Sequence, residues 1–177
     1  MDHSEEQILL KSAIAGDAHA FNALLEEYYM MIYSTAFKWV GSKHDAEDIA
    51  QEVCVKVGRS IGDFRMESKF SSWLYRIVLN TAKDHVRKRR THSSLEDISD
   101  IVVATGDSAE TQAYHKQLWQ AVHKLPSKQR DAILLVYSED LSHAQVAEIM
   151  QCKESTVSWY IHEAKKQLKK VMGHHGR

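Results

Sequence analysis

Apolar residues recur along most of the chain at spacings of three and four, the period of an α-helix, and the alternation expected of strands is nearly absent. A short first helix is expected from Ile8 to Ala15, ended by Gly16. Asp17 is placed to cap a second, in which Phe21, Leu24, Leu25, Tyr28, Ile32, Ala36 and Val40 share a face before Gly41 stops it. A third helix is expected from Asp45 to about Ile61, with Ala46, Ile49, Val53 and Val57 as its apolar stripe. Residues 62–72 (GDFRMESKFSS) read as a loop, and Trp73 to Arg90 as a long fourth helix. Residues 93–110 are polar, acidic and aperiodic apart from a small apolar patch at Ile101–Val103, the signature of a linker. Four more helical segments are expected at about 111–124, 127–137, 143–150 and 155–171, and Ser142 with Gln145 forms a capping-box pattern ahead of the third of these. The expected fold class is all-α: a helical bundle over 1–92, a flexible linker over 93–110, and a second small helical domain over 111–177.

Length and composition narrow the function. The 177 residues, 44% apolar and 27% charged, fit two small cores better than one large enzyme fold. Net charge is −1, which taken whole does not suggest a nucleic-acid binder. The distribution does: KDHVRKRR at 83–90 carries five cations against one acid, and KKQLKK at 165–170 carries four. Glu96, Asp97, Asp100, Asp107 and Glu110 lie between these basic ends with no Lys or Arg among residues 93–112. Cys54 and Cys152 are far apart, so neither a disulfide framework nor a zinc knuckle is expected. The eleven histidines show neither HxH nor HExxH spacing, so no metal and no cofactor is expected. The acidic start MDHSEEQILL lacks the features of a signal peptide and no stretch approaches membrane-spanning length, which points to a reduced, cytoplasmic protein without membrane insertion.

Three surfaces carry candidate chemistry. In the fourth helix Trp73, Arg76, Asn80, Lys83 and Arg87 repeat at alternating spacings of three and four, which gathers them within an arc of about 80°. Arg and Lys neutralise phosphates, Asn bonds to base edges or backbone, and Trp stacks on an unstacked base, so the face suits a strand that is at least partly opened. The neighbouring loop mixes Phe64, Arg65, Ser68, Lys69 and Phe70, a set able to hold a flipped base. On the alternative reading Trp73 belongs to the core, Phe64 and Phe70 pin the loop, and the cations are a solvated face. In the second half, a short helix, a tight turn and a longer helix make a helix-turn-helix pattern. Val157, Ile161, Ala164, Leu168 and Val171 form the apolar stripe of its last helix. Ser155 and Thr156 sit at its start, Ser158, Trp159 and His162 are placed to read bases, and Lys165, Lys166 and Lys169 to meet backbone. Finally, Asp45, Asp48 and Glu52 fall together on roughly the face opposite the third helix's stripe, which suits a basic protein partner or plain solvent.

At these residues the chain resembles a known family. GDAHAFNALLEEYYMMIY, DAEDIAQEVCVKV and FRMESKFSSWLYRIVLNTAKDHVRKRR look like domain 2 of sigma factors; LPSKQRDAILLVYSEDLSHAQVAEIMQCKESTVSWYIHEAKKQLKK looks like domain 4. Their order and short connection resemble the extracytoplasmic-function group of the sigma-70 family. The resemblance implies that Asp45, Asp48, Gln51 and Glu52 dock on the clamp helices of the largest subunit of the RNA polymerase core. It implies that the loop and Trp73, Arg76, Asn80 and Lys83 open and read the −10 element of promoter DNA, and that residues 155–169 read the −35 element. It also implies an anti-sigma partner and no enzymatic activity of the chain's own. Ser155, Ser158, Tyr160 and Glu163 stand where the family usually carries glycine or cations, so an unusual −35 sequence is expected; Cys54 replaces a frequent aromatic. The alternative reading is a helix-turn-helix transcriptional regulator that needs no polymerase.

Overall fold

Side-chain caps define where four of the helices start. The computed structural model describes residues 2–92 and 109–173, with side chains for 2–89 and 111–173. Helix α1 (His3–Ile14) begins five residues before the expected start, because Asp2 and Glu5 form a reciprocal capping box that the apolar periodicity does not register. Asp17 caps α2 (Ala18–Val40) through the amides of His19 and Ala20, and Gly41 ends it in the left-handed conformation at φ 72°. Ser42 caps α3 (Lys43–Ser60). A 3-10 turn (Ile61–Asp63) follows, then irregular chain, then α4 (Phe70–His92). Helix α4 starts three residues ahead of Trp73: the Trp73 amide donates to the Lys69 carbonyl at 3.2 Å, so Ser71 and Ser72 are helical although their polarity suggested loop. In the second half α5 (Ala109–His123), α6 (Ser127–Tyr137), α7 (His143–Met150) and α8 (Glu154–Met172) lie within about two residues of expectation, the usual uncertainty of helix ends. The expected linker lies almost wholly outside the described residues.

The chain divides into two units, 1–95 and 96–177. In the first, α2, α3 and α4 pack pairwise around one core, and α1 lies against α2 and the 3-10 turn. Leu24, Ile32, Trp39, Ile49, Val53, Val57, Leu74 and Val78 are fully buried there. Trp39 is the largest of these side chains and was absent from the expected α2 stripe. In the second, α8 is the spine, with α5, α6 and α7 packed on it. Leu135, Val146 and Val157 are its fully buried large residues, joined by Ile161 and Ala164. Val171, assigned to the same stripe, is 48% exposed, because the stripe runs past the end of the packed surface.

One polar tie fixes α3 against α4. Asp45, 8% exposed, accepts from the Arg89 guanidinium and lies 3.2 Å from His85 Nε2. Both carboxylate oxygens are therefore engaged by α4. Removing the carboxylate leaves His85 and Arg89 partly desolvated without their shared acceptor. Asp45→Ala should cost on the order of 1–2 kcal/mol in urea unfolding, whereas Asp48→Ala, on the exposed side of the same helix, should change stability by less than about 0.5 kcal/mol.

The second unit carries a pH-sensitive group. His123, at the end of α5, has its Nε2 buried without a hydrogen-bond partner. Burial, with the Arg130 charge nearby, pushes its pKa down to about 4. The unfolded chain therefore binds a proton near pH 6.5 that the folded unit refuses. Stability from this site is complete above pH 6.5 and is lost as pH falls toward 4, by on the order of 2–3 kcal/mol. Thermal unfolding of His123→Leu should show a correspondingly flatter pH dependence over that interval.

Candidate nucleic-acid interface

The loop between the 3-10 turn and α4 is held by rings at both ends. Phe64 and Phe70 are buried and meet edge-on with centroids 5.6 Å apart. Trp73 closes the cluster, 5.2 Å from Phe64 and stacked on Phe70 at 5.5 Å. Both rings are buried at the ends of the loop, the placement that the pinning reading expects. The residues between them face outward: Arg65 and Lys69 are exposed, and Ser68 is half-buried, with Arg76 Nη2 3.5 Å from its hydroxyl. Met66 adopts φ 56°, a left-handed conformation that costs a non-glycine residue roughly 1–2 kcal/mol and persists only where flanking contacts enforce it.

Beside this loop, one face of α4 carries the expected row. Asn80 and Arg87 are exposed; Trp73, Arg76 and Lys83 are half-buried. Arg76 thus faces both the loop and solvent. Arg87 lies 3.0 Å from Asp84 on the same helix, a surface pair of little energetic weight that leaves the guanidinium available. A strand laid along this face meets cations, an amide and an indole edge next to a loop whose backbone is already fixed.

The acidic face of α3 differs from expectation, and the reason is geometric. At 100° per residue Asp45 lies only about 40° from Ile49, so the carboxylates flank the apolar stripe rather than oppose it. Asp45 consequently points at α4 and is removed from the exposed docking set. Glu52 is bound to Lys56 Nζ at 2.8 Å, and this hydrogen bond holds its carboxyl below the usual range. Lys56 also donates to Thr81 of α4 at 3.0 Å. Asp48 and Gln51 are exposed. Beside them Val55 is 51% exposed, an apolar residue that the sequence reading passed over. Its signal was its phase: it falls with Asp48 and Gln51 in an arc of about 60°, away from every other valine of the helix.

In the second unit the turn between α7 and α8 is three residues long, with Gln151 left-handed at φ 52°. Ser142 and Gln145 form the full capping box of α7. Lys153 occupies the N-cap of α8, with no side-chain cap bond. Ser155 is exposed and Thr156 half-buried in the first turn. Ser158 is exposed, but its hydroxyl donates to the Glu154 carbonyl and lies 3.1 Å from His143 Nδ1, which ties α7 to α8 and spends its donor. Trp159 is 55% exposed, the most open indole among the described residues, and His162 is exposed next to it on the helix surface. Lys165 is also exposed, its ammonium 4.6 Å over the Tyr137 ring; Lys166 and Lys169 are exposed as well. Glu163 is half-buried. Among the described residues no three His, Cys, Asp or Glu side chains gather as a metal site, and no helix is long and apolar enough to cross a membrane.

Comparison with known proteins agrees with this layout. Residues 24–92 match Sigma-70 region 2, and residues 115–168 match Sigma-70, region 4. The chain is 32% identical to the RNA polymerase sigma-H factor of Pseudomonas aeruginosa, over 97% of this chain and 96% of that protein. It is 32% identical to the ECF RNA polymerase sigma factor SigW of Bacillus subtilis (92% and 94% covered) and 34% identical to the ECF RNA polymerase sigma-E factor of Haemophilus influenzae (92% and 93%). Among solved structures, it is similar to CnrH in complex with the cytosolic domain of CnrY, with TM-score 0.74 and 21% identity over 97% of this chain and 99% of that one. The sigma factor RpoE of Bartonella quintana, in complex with the anti-sigma factor NepR, is similar with TM-score 0.71 and 23% identity over 89% and 98%. The chain belongs to the sigma-70 family of RNA polymerase sigma factors, in its extracytoplasmic-function (ECF) group.

Proposed function

We propose that this ECF sigma factor divides promoter recognition among three surfaces. Asp48, Gln51, Val55 and the outer edge of Glu52 on α3 meet the polymerase core. The loop at Arg65, Ser68 and Lys69, with Trp73, Arg76, Asn80, Lys83 and Arg87 of α4, opens and reads the −10 element. Residues 155–169, chiefly Ser155, Thr156, Trp159, His162, Lys165, Lys166 and Lys169, read the −35 element. The observation that carries this reading is the α4 face: cations, an amide and an indole aligned beside a loop pinned at both ends. Residues 1–92 and 111–177 act as separate recognition modules, with 93–110 between them. The polymerase holds the two modules at a fixed spacing, so binding by one raises the effective concentration of the other.

The polymerase supplies the phosphodiester chemistry, and this chain works in the cytoplasm without a catalytic residue. An anti-sigma protein holds it inactive; support for this comes from the two similar sigma factors, both captured with partner proteins.

Purified core polymerase should yield discrete new transcripts from source genomic DNA only when this protein is added. Trp73→Ala should slow promoter opening about 5- to 100-fold, the scale of one base–indole stack, with core affinity unchanged. Loss of core binding by a folded Trp73→Ala protein would instead place that face against the polymerase. Specific duplex binding without core would favour a polymerase-independent regulator.

A further inference from the structure

The ring cluster beneath the −10 loop is tied, through Tyr28, to α1, a helix outside both matched regions. Tyr28 of α2 meets Phe70 edge-on, with centroids 5.3 Å apart and planes at 76°. Its hydroxyl donates to Glu6 Oε1 of α1, a side-chain bond across 22 positions of sequence. Burial and the Glu6 carboxylate push the phenol well above its ordinary range, so it remains a donor throughout the working pH range. The Glu6 side chain is only 19% exposed, which limits its freedom to leave this partner for water. Helix α1 also packs on the 3-10 turn Ile61–Asp63, which leads directly into Phe64. It therefore reaches both ends of the loop: Phe64 through the turn, and Phe70 through Tyr28.

We propose that α1 is a positioning element for the −10 loop, with Glu6 fixing the Tyr28 ring against which Phe70, and through it Trp73, is seated. This rests on the assignment of the loop and Trp73 to the −10 element. Glu6 and Tyr28 are positioning residues and need no contact with DNA. Phe70 touches Phe64, Trp73 and Tyr28 alike, so a shift of the Tyr28 ring reaches the indole through one intervening side chain. Dense packing transmits such shifts instead of absorbing them.

The test compares full-length wild type, Glu6→Ala, Glu6→Gln and Tyr28→Phe. Glutamine still offers a carbonyl acceptor, alanine offers none, and phenylalanine keeps the ring but loses the donor. Amide hydrogen exchange over residues 64–69 reads loop order in the free protein. Opening rate on a duplex promoter, measured with saturating core polymerase, reads function; core affinity and thermal unfolding serve as controls. Glu6→Ala and Tyr28→Phe should speed loop exchange and slow opening by about three- to tenfold, the scale of one hydrogen bond, with core affinity unchanged. Glu6→Gln should stay near wild type in both. Unchanged loop exchange in Glu6→Ala and Tyr28→Phe would overturn the proposal, as would a loss in Glu6→Gln equal to that in Glu6→Ala. Faster exchange with unaltered opening would also overturn it, because the tether would then be structural only. If Trp73→Ala opens promoters as wild type does, the −10 assignment itself fails and takes this proposal with it, even where loop exchange responds.

Discussion

Two buried rings six positions apart hold the loop between the 3-10 turn and α4 in place, and the proposed −10 surface depends on them. A six-residue segment without regular hydrogen bonding loses about 1–2 kcal/mol of backbone entropy per residue when fixed, and a polar loop has little apolar surface with which to offset that. Phe64 and Phe70 supply the offset from its ends. Both are buried and both meet Trp73, so the chain between them is spanned as an arch, with Arg65 and Lys69 projecting outward. The left-handed Met66 fits this account, because strain persists where flanking contacts over-determine the path. Under the proposed −10 role, such preorganisation means that a base entering the loop does not have to order it first.

The proposed division of labour asks little duplex affinity of either module alone. The basic run at the end of α4 has five cations in sequence; the surface pair with Asp84 leaves Arg87 available, while the half-exposed Arg89 is shared with the buried Asp45. One cation of the run is thus drawn partly toward the protein. In α8 Lys165 sits over Tyr137, which orients it without removing its charge. Salt-dependent affinity scales with the number of phosphates neutralised, so a module that presents few cations binds non-specifically only weakly. On the proposed reading, productive affinity arises when the polymerase presents both modules together.

Most of the helical layout was legible because caps and apolar period agree. Asp17, Gly41 and the Ser142–Gln145 box each mark a boundary found in the structure, and the α8 stripe from Val157 to Leu168 packs as its spacing implies. The sequence left readings open, or features unread, where one side chain satisfies two rules or where the signal lay outside apolar spacing. Phe64 and Phe70 have the chemistry to hold a base and the hydrophobicity to anchor a loop, and composition does not choose between these. Trp39 went unnoticed because α2 is apolar on more than one face, so a single stripe under-describes it. The start of α1 was missed because its first turn is polar and its signal lies in capping chemistry, not in apolar spacing.

Asp45 shows why a helical wheel alone misassigns a surface. Grouping by charge placed it with Asp48 and Glu52, whereas its angular proximity to Ile49 places it at the edge of the packed face. What decides its role is the partner helix: His85 and Arg89 lie one turn apart on α4 and converge on its two oxygens, a relation between residues 40 and 44 positions away that no local pattern contains. With Asp45 turned inward, the side of α3 proposed for docking consists of Asp48, Gln51, Val55 and the half-exposed Glu52, which is engaged by Lys56. That patch joins two acids, an amide and an apolar side chain, where an outward Asp45 would have added a third acid. Like charges alone attract a basic helix in many registers, whereas an amide and an apolar residue set among them favour fewer. The burial of Asp45 thus ties α3 to α4 and, under the proposed docking role, leaves a face whose mixed chemistry can set register as well as attraction.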